Sequence, residues 1–297
     1  NISNLDDFIS INTLSSHDHK SVQLCYNYKD HHLYIMKIFY ENELLYEHET
    51  NFYNKIANNF PFISRMFGTF EQYGRKYIII EYIEGDTLKN FIINSPNKID
   101  YSTKIAIILK MLLTVEYIHC NGICLRDLKW DNIIIDSKLN PIFIDFDFSK
   151  QMINNLSPNN LTGDIGCYFF AAPEQYQSRN YSFKVDNYSI GLLIHFILSE
   201  IHFNQIDVDY IENIFKAKGN ILDKKEINKL PSNMEDLLDV YKNCCVFLPE
   251  SRPSINKIIK GFLIQQKEKK SKLFVSFLDF FINLHFNYLS KFSFDYD

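Results

Sequence analysis

The chain predicts an α+β fold in two unequal parts, a small β-rich part with one main helix and a larger helical part after it. Three observations carry this expectation. Residues 11–39 alternate as paired strands do, and a continuous apolar strand follows at 77–81. Residues 104–119, KIAIILKMLLTVEYIH, are strongly apolar at helical length, and a second apolar helix opens at Lys184. Between those helices, residues 124–150 hold two short apolar runs with a turn between them.

Residues 1–10 carry little signal. Val22, Leu24 and Tyr26 fall on one strand, Leu33, Ile35 and Lys37 on the next, and Lys29, Asp30, His31 and His32 form the turn. Lys37 sits inside an apolar strand, so its ammonium must reach water or meet a carboxylate. The helix that follows, over 41–56, turns Leu45, Phe52, Tyr53 and Ile56 inward, and this face brings Glu49 toward Lys37, with Glu47 as the competing partner. Residues 60–63 and 66–70 read as the next strand, 77–81 as a buried one, and 82–85 as a connection. The helix over 104–119 stops at Asn121-Gly122.

The two strands within 124–150 run over 133–135 and 142–144, with Asn140-Pro141 at the turn, and so bring the ends of the segment together. Asp127, Lys129 and Asn132 then meet Asp145 in one small volume. A carboxylate and a carboxamide oxygen are hard ligands suited to Mg²⁺, a second carboxylate can orient a hydroxyl nucleophile, and an ammonium can neutralise a group in transit. This set suits chemistry on a phosphorylated, metal-bound substrate.

Residues 125–132, LRDLKWDN, followed by Asp145-Phe146-Asp147, resemble the catalytic and metal-binding loops of eukaryotic-type protein kinases, H-R-D-L-x-x-x-N and D-F-G. The resemblance spans roughly residues 11–262. It implies a bilobed kinase-like fold with the N-lobe over 11–82, the C-lobe over 83–262, an extension over 1–10 and a tail over 263–297. It implies a divergent Ser/Thr kinase using ATP and Mg²⁺, with Asp127 as base, Lys129 near the transferred group, and Asn132 and Asp145 as metal ligands. Lys37, Glu49, Val22 and the connecting backbone at Glu81 and Ile83, behind Ile80, are the implied nucleotide contacts.

The same resemblance extends downstream. Arg126 marks the subclass in which an arginine binds a phosphate on the activation segment, with Thr162 or Ser157 as the phosphorylated residue. Residues 172–174 match A-P-E, Arg252 is the expected partner of Glu174, and Asp186 is expected to hold the catalytic loop by backbone hydrogen bonds. Residues 36–38, 60–63, 146–148 and 292–294 lean toward the AGC group. Five positions depart from the family. Leu125 replaces histidine, Asp147 replaces the glycine of D-F-G, and the three glycines of the nucleotide loop fall on Ser15, His17 and Lys20 as 15, 17 and 20 are counted back from Val22. A side-chain charge at Lys20 or His17 could stand in for the lost backbone donors. The departures also support a second reading, a catalytically impaired scaffold or allosteric module. Phosphorylation of a small molecule is disfavoured by the A-P-E and Arg252 matches.

Composition narrows the rest. With 46% hydrophobic and 23% charged residues, the 297-residue chain is globular rather than disordered. A formal charge of −5 argues against nucleic acid as the main partner, and no uninterrupted apolar run reaches membrane-spanning length. The six cysteines, without a C-x-x-C pair, read as free thiols in a reducing, cytoplasmic setting. In the tail, Ser276, Asp279, Asn283, Asn287 and Ser290 form a narrow polar stripe on an otherwise apolar helix. Its dry face must pack on the lobes, on a partner or second copy, or on a membrane surface.

Overall fold

The computed structural model describes residues 4–40, 43–56, 60–95, 99–152, 170–177, 182–199 and 235–268, together with Asn283 and Tyr288. The N-terminal part is a five-stranded antiparallel sheet. Its strands are β1 (Phe8–His17), β2 (Lys20–Asn27), β3 (His32–Phe39), β4 (Met66–Gln72) and β5 (Arg75–Glu81), in the spatial order β1-β2-β3-β5-β4. β1 begins at Phe8, so the sheet takes in residues that the sequence pattern leaves in an extension.

The sheet is apolar on both faces, which explains the uninterrupted run in β5. Tyr77 and Ile79 join Cys25, Tyr34, Met36 and Ile38 in a small cluster on one face. Ile78 and Ile80 face the main core. Because side chains alternate along a strand, Lys37, between Met36 and Ile38, must point to the main-core face. Helix α1 (Glu43–Ile56) covers that face and buries Glu49, Phe52, Tyr53 and Ile56 along one stripe.

Two local expectations are corrected. Residues 60–63 are not a strand; Ile63 forms an isolated bridge with Phe143, and Phe60 stacks on Tyr117. The turn expected at Asn140-Pro141 lies earlier, over residues 137–139, with Leu139 at φ 60°. Pro141 instead opens a strand, where its missing N–H is tolerated. The Asp136 carboxylate holds this turn by accepting from the backbone N–H of Lys138 and Asn140, each at 2.8 Å.

Past the connection at 82–84 come β6 (Gly85–Thr87), α2 (Leu88–Asn94), α3 (Tyr101–Cys120), β7 (Ile123–Cys124), β8 (Ile133–Asp136), β9 (Pro141–Phe143) and β10 (Lys150–Gln151). β6, β8 and β9 form one small sheet, and β7 and β10 another. Asp100 caps α3 by accepting from Thr103 N–H at 2.8 Å, and Gly122 ends it at φ 73°, where a side chain would be strained. α3 is buried on nearly every side. Around it lie α4 (Pro173–Gln177), α5 (Lys184–Ser199), α6 (Glu235–Cys244) and α7 (Ile255–Glu268). α7 runs past residue 262, where the sequence pattern places the start of the tail. Within the tail, the Tyr288 ring packs edge-on against Phe60 and Tyr117, at centroid distances of 5.4 and 6.4 Å.

The expected pair between Arg252 and Glu174 is present, and it ties α4 to the segment before α7. Two parallel bonds of 2.6 and 2.9 Å join the groups, and Arg252 also donates to the carbonyls of Val246, Phe247 and Lys184. Its side chain is fully buried. Arg252→Met would leave the Glu174 carboxylate and three carbonyls unpaired, and is expected to cost about 3–5 kcal/mol in chemical denaturation. An unchanged denaturation midpoint would show that the arginine holds nothing.

Candidate active site

The β8–β9 hairpin does what the sequence spacing requires. Ile144 N–H donates to the Asn132 carbonyl at 2.9 Å, which sets Asp145 beside the loop that carries Asp127, Lys129 and Asn132. Lys129 Nζ lies 2.6 Å from Asp127 Oδ2, and Asn132 Nδ2 donates to Asp127 through both the carbonyl (3.0 Å) and the carboxylate (3.2 Å). Asn132 thus spends its N–H groups on Asp127, leaving the amide oxygen for another partner. Burial raises the Asp127 carboxyl above its ordinary pKa, and the Lys129 ammonium works against that rise.

The loop hangs from one carboxylate. Asp186, at the start of α5 and fully buried, accepts from the backbone N–H of Leu125 and Arg126, each at 2.8 Å, and from His119 Nε2, also at 2.8 Å. Leu125 itself lies in the apolar core, so the leucine fills space where the family has histidine. Arg126 adopts φ 69° and Asp145 φ 63°, left-handed backbone that costs non-glycine residues energy and that the surrounding contacts must hold. Asp147, at the position of the family's glycine, is absent from this left-handed set.

On the sheet side, Lys37 reaches the same volume. Its Nζ bonds Glu49 Oε1, Asp145 Oδ1 at 2.9 Å and Asp147 Oδ1 at 3.4 Å. Glu49 is fully buried while Glu47 is exposed, which decides between the two candidates. Burial opposes the Lys37 charge, but the carboxylates of Asp145, Asp147 and Glu49 outweigh it and hold the ammonium well above its usual pKa. Burial also drives Glu49 well above the carboxylate range. The second carboxylate oxygen of Glu49, Oε2, is buried without a hydrogen-bond partner. Beneath α1, Phe146 stacks on Phe52 at 3.8 Å and meets Tyr53 edge-on, which fixes the carboxylates on either side of it.

The remaining expected contacts lie around this centre. Val22 is paired with Lys37 across β2 and β3 and shares its face. Ile80 is buried behind Glu81, and Ile83 packs partly against the core. Ser157 and Thr162 fall outside the described residues. Arg126 donates to the Phe148 carbonyl at 2.6 Å, and its charge, with that of Lys150, lowers the His48 pKa after burial has done most of the work. A cavity of about 200 Å³ opens beside these groups, lined by His48, Lys55, Ser149 and Lys150 among others.

Sequence reasoning missed three links. Gln175 joins the Ala172 N–H to the Arg126 carbonyl, at 2.8 and 3.1 Å. His119 is part of the Asp186 network. Lys20 bonds Asp147, joining two of the departures from the family pattern. No sequence signal marks the first two, and the third joins two residues that the sequence shows only as separate departures from the family pattern. The donor set fits a hard divalent cation, since the Asp145 side chain is one-third exposed and the Asn132 amide oxygen is not used by Asp127.

The family model for the protein kinase domain matches residues 18–263. Among curated proteins, the chain is 29% identical over 190 residues to an RGS domain-containing serine/threonine-protein kinase A of Dictyostelium discoideum, covering 63% of this chain and 16% of that protein. It is 28% identical to a probable serine/threonine-protein kinase of the same organism, covering 67% of this chain and 46% of the relative. It is also 28% identical to a cAMP-dependent protein kinase type 3 of Saccharomyces cerevisiae, covering 72% and 54%. The chain therefore spans between about a sixth and about half of the length of these relatives.

Replacing Asp186 with alanine would leave two buried backbone donors without partners, at about 1–3 kcal/mol each. The expected outcome is lower stability together with faster amide hydrogen exchange at Leu125 and Arg126. Unchanged exchange at those two amides would show that the loop is held by other contacts.

Proposed function

The chain belongs to the protein kinase family, and on that footing we propose that it transfers the γ-phosphoryl group of ATP to a serine or threonine hydroxyl of a protein substrate. The observation that carries this reading is the convergence of Lys37, Glu49 and Asp145 on one side with Asp127, Lys129 and Asn132 on the other. Phosphoryl transfer depends mainly on positioning and charge neutralisation, which are the properties this arrangement provides.

In this reading the adenine edge bonds the backbone at Glu81 and Ile83 while Val22 covers it. Lys37, held by Glu49, orients the phosphates. Asn132 and Asp145 would hold Mg²⁺, which when bound neutralises phosphate charge. Asp127 orients the acceptor hydroxyl and takes its proton as the oxygen bonds to phosphorus and the bond to the β-phosphate oxygen breaks, releasing ADP. Lys129 neutralises the group in transit. The serine/threonine preference rests on Lys129 and on the names of the relatives, and the cAMP-dependent relative adds only weak support to the AGC leaning.

Regulation by a phosphate on Thr162 or Ser157 is supported by the basic groups around Arg126. His48, Lys55 and Lys150 line the cavity beside it. The tail is assigned to packing on the chain's own body, as the Tyr288 contacts suggest. Among the described residues no helix is long and apolar enough to cross a membrane. The domain limits expected from sequence, at 82–83 and 262–263, are retained as proposals.

The purified chain, incubated with Mg²⁺ and labelled ATP, is expected to transfer label to itself or to a general protein substrate. Lys37→Met and Asp145→Asn should each reduce the rate by roughly 10²-fold or more. Nucleotide binding without any transfer would favour a scaffold, and absence of nucleotide binding would remove the enzymatic reading altogether.

A further inference from the structure

Lys20 stands where the family's nucleotide loop has its third glycine, and its surroundings are those of a built charge site. The β1–β2 ladder runs regularly from Ser15↔Val22 to His17↔Lys20, closed by Asp18 and His19. This is an ordinary hairpin with side chains at positions where a glycine loop would bring its backbone close to phosphate. Cross-strand pairing sets Lys20 opposite Phe39 and Val22 opposite Lys37, so all four side chains share one face of the sheet. That face looks onto the carboxylates.

Lys20 is only 8% exposed. Its Nζ bonds Asp147 Oδ2 and lies 3.9 Å from Asp145 Oδ1, the oxygen that Lys37 contacts at 2.9 Å. Asp147 Oδ1, in turn, lies 3.4 Å from Lys37. Two ammonium groups on adjacent strands therefore converge on the same pair of aspartates. A triphosphate engaged by Lys37 and by a metal at Asp145 would lie within the reach of a second flexible lysine. A phosphate oxygen offers that lysine the same kind of charge-assisted bond that Asp147 now provides.

Resting on the kinase reading above, we infer that Lys20 is a phosphate-binding residue of the nucleotide site, replacing with one side-chain charge the backbone donors that a glycine-rich loop would supply. Asp147 is its resting counter-ion. It holds the ammonium in the cleft before nucleotide arrives and balances its charge, so the two departures from the family pattern work as one unit. The ligand class is a nucleoside triphosphate, recognised at its phosphates and not at its base.

The competing role for Lys20, a counter-ion for Asp147 and nothing more, is separated by working where Asp147 is gone. Binding of Mg·ATP and of adenosine is measured by calorimetry on the full chain carrying Asp147→Gly, alone and combined with Lys20→Met or Lys20→Arg. Lys20→Met in this background is expected to weaken Mg·ATP by about tenfold or more while leaving adenosine affinity unchanged. Lys20→Arg should recover most of the loss. Equal Mg·ATP affinity with and without Lys20 would overturn the assignment while leaving the kinase reading standing. A matching loss of adenosine affinity would also overturn it, since a phosphate contact cannot act on a ligand that has no phosphate. Failure of the unaltered chain to bind either ligand would remove both the assignment and the reading on which it rests.

Discussion

A buried ammonium needs countercharge, and the structure of this chain is arranged around how Lys37 finds it. The lysine lies on the core face of a central strand, only 4% exposed, where an unpaired charge would be costly. Three carboxylates from two distant parts of the chain, Glu49 on α1 and Asp145 and Asp147 after β9, come within 4.8 Å of one another to meet it. The docking of α1 on the sheet and of the β8–β9 hairpin against both is thereby coupled to a single electrostatic requirement. Phe146, stacked between α1 and the hairpin, adds an apolar contact that keeps the same register.

Supporting this centre are two further buried charges that hold backbone instead of ligand. Asp186 fixes the catalytic loop through two N–H groups, and Arg252 fixes α4 through Glu174 and the chain behind it through three carbonyls. Gln175 links the two systems, since it touches both Ala172 and Arg126. Loop positions at the site thus inherit the rigidity of α3, α5 and α7. The left-handed backbone at Arg126 and Asp145 is tolerated because these contacts overdetermine it.

Much of this was legible in the sequence, for identifiable reasons. The alternation of β3 placed Lys37 on one face, and the apolar stripe of Phe52, Tyr53 and Ile56 picked Glu49 over Glu47, since both patterns follow from fixed periodicities. The partnership of Arg252 with Glu174, and the hold of Asp186 on its loop, came from resemblance and not from spacing. Residues 60–63 misled because an aromatic run suits a core position as well as a strand. The turn after β8 was misplaced because Asn-Pro is a common turn signal, whereas the Asp136 carboxylate, whose reach no local pattern encodes, decides the geometry. The pairing of Lys20 with Asp147 spans 127 positions and required coordinates.

The central claim is that this cluster of lysines and carboxylates is a nucleotide phosphate site. A crystal structure of the chain with Mg²⁺ and a non-hydrolysable ATP analogue tests it most directly. The account requires the phosphates to lie between the sheet and the Asp127–Asp145 loops, with Lys37 bonded to a phosphate oxygen and the metal on Asp145 and Asn132. Phosphates bound elsewhere, or a cleft in which Lys37 keeps only its carboxylate partners at saturating analogue, would contradict it.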